Sequence, residues 1–575
     1  MPDKDLSKVR KKVKKSSTSS QRRLRKKKEK KKGTSIGQEF EFIRYLEALD
    51  KHLNTIIRSP LKKVQDTVFP KILYLAKIEK DERPIYDMAY SIYKRIAHYM
   101  GIFLLIAGFP MLVPFAVAVR YEHYDHAISF FLPALGSIIV GEVSIRIFKR
   151  TAIDTSEAML IAALGWLLLA AVGSLPFIIA YYYPGAGFGL PPLDAFFESM
   201  SGYTATGLTM IDDVERWPNS FLLWRSITQW IGGVGVIVLF LSVMTHQAGT
   251  VAHKLYSAEG RTDKMAPSVV RTTQRIWGIY ALYTIVGIGL LFLAGMPFFD
   301  ALNHSMTALA TGGFSVKNES IMSYHNLTYE LIIIFLMILG GVPFILHYHL
   351  LQGHFKKFFS NIEIKTMFIV GSIAIILMTL TARDLSQMRY TSFQAISALT
   401  GTGFSTADVS SLGGFSKFVL TILMVFGGGY GSTSSALKLI RISIIFYAVW
   451  WQLKKITAPR TAVIPFRLGG TVYKPKEVMN AALYGVFYIF ILILGALTFM
   501  AHGHSVGDSL FEVASSLGNV GLSVGLTSDT MSPDLKIILI LEMWIGRLEI
   551  IPVLMLILSP IKKLPVTIKK KVNLG

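Results

Sequence analysis

A chain of 575 residues that is 52% hydrophobic, 12% aromatic and only 17% charged, with a mean hydropathy of +0.46, is far more apolar than soluble domains, in which about a quarter of residues are charged. An ordinary cytosolic enzyme is excluded, and the lack of cysteine rules out disulfides, thiolate metal sites and a cysteine nucleophile. The net charge of +23 is mostly terminal, with 27 Lys and Arg against 12 Asp and Glu in residues 1–95. That distribution suits the cytoplasmic tail of a membrane protein better than a nucleic-acid arm, and no nucleic-acid partner is expected.

Residues 1–35 are low-complexity Lys, Arg and Ser with almost nothing to bury, and a disordered basic tail is expected there. In the cytoplasmic region 36–95, Phe42, Leu46, Leu49, Leu53, Ile56 and Ile57 recur at helical spacing up to Pro60, which predicts an amphipathic helix. Two readings stay open for it: packing on the protein's own cytoplasmic face, or contact with anionic membrane lipid. No signal peptide is visible.

From residue 97 onward, ten apolar stretches are long enough to cross a bilayer core, which needs roughly 20 helical residues. They lie near 97–119, 127–148, 158–182, 218–245, 276–296, 330–352, 362–381, 415–450, 478–501 and 535–558. Alternate connections hold 24 Lys and Arg on one side and 6 on the other, which puts both termini in the cytoplasm by the positive-inside rule. The fold class expected is therefore an all-α polytopic membrane protein.

Four outer connections repeat one another. They read DAFFESMSGYTATGLT from Asp194, DALNHSMTALATGGFS from Asp300, YTSFQAISALTGTGFS from Tyr390 and DSLFEVASSLGNVGLS from Asp508. In each, a glycine stands 13 positions after the first residue and is followed by Leu or Phe and then Thr or Ser: Gly207, Gly313, Gly403 and Gly521. Each segment is too short to cross a membrane, so a re-entrant loop is expected, a short helix followed by an extended return. Irregular backbone at membrane depth is tolerated where it is buried or lines a water-filled path. Backbone carbonyls that replace an ion's hydration shell require angles that glycine adopts without penalty.

The candidate ion-binding strips are Thr206 and Gly207; Thr311, Gly312 and Gly313; Thr402 and Gly403; and Asn519, Val520 and Gly521. Asp194, Asp300 and Asp508 stand where they would cap the short helices, with direct attraction of a cation as a second role. A cation there would be held by backbone carbonyls rather than by a metal-ligand cluster. His347 and His349 are splayed apart by their spacing on a helix, and no carboxylate cluster accompanies them. Gly521, Ser523 and Gly525 fit the G-x-S-x-G hydrolase pattern, but that pattern's strand-to-helix context is lacking.

The run from Asp194 to Leu239, together with LGGVPFILHYH from Leu339, GGGYGSTSSALKLIR from Gly427 and IGRLEIIPVL from Ile545, resembles the Trk/Ktr/HKT superfamily of cation transporters, TrkH branch. The resemblance implies a potassium-conducting membrane subunit of the plasma (inner) membrane. Its implied units are an initial helix pair at 97–157 and membrane-pore-membrane repeats at 158–250, 276–355, 362–455 and 478–560, around one central pore, before a basic tail at 561–575. It further implies a homodimer and a cytoplasmic TrkA-type ring of nucleotide-binding regulatory proteins. Glycine in all four loops goes with potassium preference in relatives, the alternative being a sodium or poorly selective pathway.

By the same resemblance Gly427, Gly428, Gly429 and Gly431 belong to an intramembrane gate loop. Arg547, a costly charge within the last apolar stretch, would face the pore as a barrier. An ion pair between Arg547 and Glu542 or Glu549 is the competing reading. Two departures stand out: the long basic N-terminus, and Tyr430–Ser435, where the family more often has further glycines.

Overall fold

The computed structural model describes residues 83–148, 153–183, 187–235, 257, 268–382, 384, 387–459, 462–550 and 552–553. The expected tails 1–35 and 561–575 and the amphipathic stretch before Pro60 lie outside the described residues. The chain divides into two units, Met1–Arg83 and Pro84–Gly575, and the helical bundle is the second.

The bundle opens with α1 (Arg83–Arg120), α2 (Tyr124–Ile147) and α3 (Thr155–Tyr182). Helix α1 starts well before the expected residue 97, so the end of the 36–95 region is continuous with the first span. Small residues let these helices approach closely: a Cβ at Gly101 would meet Ser144 of α2, and one at Gly165 would meet the Phe103 ring of α1. The start of α3 is fixed by a capping box between Asp154 and Glu157. Glu157 also accepts a hydrogen bond from Arg95 at 2.7 Å. The apolar stretch of α3 is 61% buried, against 33–39% for the other long apolar helices.

The four outer connections each carry a short helix: α4 (Pro192–Tyr203), α7 (Phe298–Leu309), α12 (Met388–Thr400) and α16 (Val506–Gly518). Each follows an unbroken apolar helix, which is α3, α6 (Val269–Leu293), α11 (Ile362–Ala382) or α15 (Pro475–Ala501). Each is followed by a second helix that breaks.

Among the described residues, six unbroken helices are long and apolar enough to cross a membrane, or seven spans if the bent pair Leu327–Gly341 and Phe344–Leu351 counts as one. The four expected spans outside those six are the second helices of the repeats. Helix α5 (Asn219–Val234) ends at Gly235 with φ 92°. Helix α8 (Leu327–Gly341) turns through 107° into α9 (Phe344–Leu351), because Pro343 excludes the helical conformation at Val342. Helix α13 (Gly414–Phe426) ends at Gly427 with φ 70°, before α14 (Leu439–Thr457). Helix α17 (Pro533–Leu548) ends at Glu549 with φ 63°. Hydropathy counts apolar side chains and is blind to these breaks.

Between α9 and α11 lies α10 (Phe355–Ser360). Between α14 and α15, β1 (Arg467–Leu468) and β2 (Thr471–Val472) pair antiparallel. Gly469 and Gly470, with φ 58° and 84°, supply the two positive angles of this tight turn.

Candidate functional site

The four short helices end at Tyr203, Leu309, Thr400 and Gly518, three or four residues before the repeat glycine. The backbone then enters the left-handed region two positions before that glycine in every copy, at Ala205 (φ 53°), Thr311 (φ 52°), Gly401 (φ 73°) and Asn519 (φ 51°). It does so again at Gly207 (101°), Gly313 (77°), Gly403 (84°) and Gly521 (98°). A β-branched residue such as Thr311 is a genuine outlier there and persists only where its surroundings hold it.

The need for glycine is steric as well as conformational. A Cβ at Gly207 would strike the carbonyl oxygen of Gly312, one at Gly313 that of Thr402, one at Gly403 that of Val520, and one at Gly521 that of Thr206. Each loop therefore leans on the next and the fourth on the first. The contacts close a ring, with one carbonyl per repeat at the same level.

All ten candidate strip residues belong to or adjoin this ring. Thr206 Oγ1 is hydrogen-bonded to Thr204 Oγ1 at 2.7 Å, and Thr402 Oγ1 to Thr400 Oγ1 at 2.8 Å. Asn519 Nδ2 donates to Thr206 Oγ1 at 2.9 Å and ties the fourth loop to the first. One quadrant differs: Gln229 of α5 donates to the Gly312 carbonyl at 2.6 Å and accepts from Phe314 N at 3.0 Å.

The three aspartates are not helix caps, a correction to the sequence reading. The N-cap residues are Pro191, Pro297 and Ser505, and only Ser505 caps with its side chain, accepting from Asp508 N. Asp194, Asp300 and Asp508 stand in the first turns, where negative charge still suits the helix dipole, but their side chains bind neighbours. Lys536 donates to Asp194 at 2.6 Å, Tyr324 to Asp300 at 2.6 Å and Lys417 to Asp508 at 3.2 Å.

Below the ring, the segment between α13 and α14 leaves the helical path and folds under loops two and three. Thr433 Oγ1 donates to the Gly340 carbonyl at 2.9 Å and accepts from Thr311 Oγ1 at 3.1 Å. The carbonyls freed by the α8 break are used by this segment: Gly429 N donates to Gly341 at 2.8 Å and Thr433 N to Gly340 at 3.1 Å. Glu363, at the start of α11, accepts from Tyr430 N at 3.1 Å. A Cβ at Gly427 would strike the Ser435 carbonyl, and one at Gly428 would lie 2.8 Å from Ser434 Cβ. One at Gly429 would lie 2.9 Å from the Glu363 carboxylate. Gly431 (φ 79°) offers its carbonyl to Phe344 N at 3.2 Å.

Arg547 reaches this segment from α17. Its guanidinium donates to the Thr433 carbonyl at 2.6 Å, to Ser435 Oγ at 3.2 Å and to the Gly233 carbonyl at 2.8 Å, and it also binds the Gly232 carbonyl. The two glycine carbonyls are the negative end of the α5 dipole. Glu549, one of the partners considered from sequence, pairs with Arg441 at 2.7 Å. Arg547, Lys438 and Glu549 line a cavity of about 30 Å³ here, shared with Tyr430 and Ser432, which is room for one or two water molecules.

Three more glycines, not singled out from the sequence, allow this packing. A Cβ at Gly232, Gly340 or Gly546 would strike the carbonyl of Tyr203, Leu309 or Leu517, near the end of a short helix. Their signal was a glycine recurring about 25 residues after each repeat glycine. His347, set aside as a metal ligand, is buried and hydrogen-bonded to the Leu339 carbonyl at 2.9 Å.

Comparison with known proteins points the same way. The TrkH family profile, described as a cation transport protein, matches residues 128–565. An uncharacterized cation transporter of Methanocaldococcus jannaschii is 38% identical over 464 residues, which cover 80% of this chain and 94% of that protein. The Trk system potassium uptake protein TrkH of Salmonella typhimurium is 31% identical over 485 residues, or 81% and 98%. The crystal structure of the potassium transporter TrkH from Vibrio parahaemolyticus matches with a TM-score of 0.71 at 28% identity, covering 81% of this chain and 98% of that one.

Proposed function

The chain belongs to the TrkH family of cation transport proteins, and we propose that it carries potassium inward through the ring of four loops. It is a multi-pass membrane protein and a potassium uptake protein, not an enzyme. The ring closure carries this reading: four carbonyls, from Thr206, Gly312, Thr402 and Val520, each beside the glycine of the preceding loop.

Potassium, the substrate, sheds hydration water to carbonyl oxygens at this level. The C-terminal ends of α4, α7, α12 and α16 lie within four residues of the glycines and add their negative dipole ends. Gly207, Gly313, Gly403 and Gly521 let the loops approach closely enough to form one site. The driving force is the membrane potential, worth about 2.3 kcal/mol per charge per 100 mV.

The segment Gly427–Lys438 is the gate. It lies under the ring, and Arg547 binds its backbone at Thr433, so a positive charge stands in the path just where the segment obstructs it. Opening requires Arg547 and the segment to move together. The trigger we assign is a cytoplasmic nucleotide-binding ring of TrkA type docked on a homodimer in the plasma membrane, with both termini cytoplasmic. The excess of Lys and Arg in the inner connections supports that orientation.

The test is flux of potassium, rubidium and sodium into proteoliposomes holding the chain alone under an inside-negative potential. Selective potassium entry supports the filter. Equal entry of sodium overturns it.

A further inference from the structure

The repeat holds a second register that the glycines do not reveal. Four positions after the first residue of each repeat stand Glu198, His304, Gln394 and Glu512. All four are buried to within 1%, and each reaches the strip just beyond its own glycine.

Glu198 accepts from Thr209 Oγ1 at 2.9 Å and from Met210 N at 2.9 Å. His304 Nε2 is hydrogen-bonded to Ser315 Oγ at 2.9 Å. Gln394 donates to the Ala407 carbonyl at 3.1 Å. Glu512 accepts from Ser523 Oγ at 2.7 Å, from Val524 N at 3.1 Å and from Thr527 N at 3.1 Å. In three of the four, the partner is the hydroxyl two residues after the glycine.

The first brace has an extra member. Arg225 of α5, 3% exposed, donates through Nε to Glu198 at 2.7 Å. It donates through Nη2 to Thr209 Oγ1 at 3.2 Å and through Nη1 to the Ser315 carbonyl of the next repeat at 3.0 Å. Its Cζ lies 4.1 Å from the centroid of the Phe314 ring. One planar guanidinium thus fixes two neighbouring strips at matching positions, two residues past Gly207 and two past Gly313.

We propose that Glu198 and Arg225 are positioning residues for ion selectivity, holding loops one and two at the spacing that favours potassium over sodium. The inference rests on the reading of the loops as a filter. A carbonyl site discriminates by the size and field of its oxygens, so a shift of about 0.5 Å in one strip is enough to matter. Lysine keeps the charge at 225 but lacks the fork that reaches Glu198 and Ser315 at once.

The experiment measures rubidium and sodium uptake by proteoliposomes under an imposed inside-negative potential for R225K, E198Q and T209V, with G207S as reference and thermal stability in detergent alongside. Thr209→Val removes the hydroxyl that both partners bind and leaves the ion pair in place, so it serves if the charged variants do not fold. The expected result for R225K is a fall of about tenfold in the rubidium-to-sodium ratio, the scale of one charged hydrogen bond, with a smaller fall for T209V. Ratios unchanged in the folded brace variants while G207S lowers its own would overturn the proposal and leave the filter standing. An equal loss of both fluxes at constant ratio would also overturn it. If G207S leaves the ratio unchanged too, the filter reading itself fails.

Discussion

The guanidinium of Arg547 lies 2.6 Å from the carbonyl oxygen of Thr433, so the last apolar helix holds the backbone of the segment beneath the ring directly. If, as proposed, Arg547 is a barrier charge and the segment it binds is the gate, its removal has a simple consequence. Arg547→Ala should raise potassium flux several-fold in proteoliposomes, with Arg547→Lys intermediate. Wild-type or lower flux in folded Arg547→Ala protein would assign the residue to packing alone.

The segment has a second anchor in Glu363, whose carboxylate accepts from Tyr430 N. Glu363→Ala should loosen the segment and increase flux, and Glu363→Gln, which retains an acceptor oxygen, should do so less. The two variants are compared at equal reconstitution density.

At the ring, Gly207→Ser and Gly403→Ser each put a Cβ onto a neighbouring loop's carbonyl oxygen, in a conformation disfavoured for any side chain. Both should lower potassium-over-sodium discrimination, measured as the flux ratio or as growth of a potassium-uptake-deficient host at low potassium. Unchanged selectivity in the pair would remove these residues from the filter.

The buried pair Lys536–Asp194, at 6% and 10% side-chain exposure, joins the fourth repeat to the first. Lys536→Met alone leaves a buried carboxylate uncompensated and should cost about 3–5 kcal/mol. Adding Asp194→Asn should recover part of that loss in thermal unfolding.

On the outer surface, partial burial and the neighbouring Asp529 carboxylate push the Asp212 carboxyl above its usual range. A raised carboxyl pKa means the folded state disfavours the charged form, an unfavourable contribution that grows as pH rises through the carboxylate range. Asp212→Asn should therefore be more stable than wild type at neutral pH, and the difference should vanish below about pH 4. A difference that persists at low pH would point to another cause.

The strip residues were legible because their chemistry repeats as letters: a glycine at a fixed offset, followed by an apolar residue and a hydroxyl. The braces were not, since Glu198, His304, Gln394 and Glu512 share a place and a hydrogen-bonding task but no residue type. Nor could Ala205 and Thr311 announce a left-handed backbone that neither favours; surrounding packing imposes it. The aspartates misled for a different reason. Helix propensity places an acid in the first turn or at the cap with similar ease, and the proline at Pro191 and Pro297 settles which. The breaks at Gly235 and Pro343 escaped because apolar composition continues across them without interruption.

Closing the ring within one polypeptide changes what a single codon can do. Where four identical subunits meet, every substitution is made four times, and a change tolerable once becomes ruinous. Here a substitution is made once and reaches a loop and the neighbour it leans on. Among the described residues, the Gln229 bond to Gly312 and the Arg225 bridge to Ser315 each join the first repeat to the second alone, arrangements that fourfold identity would forbid. Under the proposed filter, ion preference can therefore change one loop contact at a time.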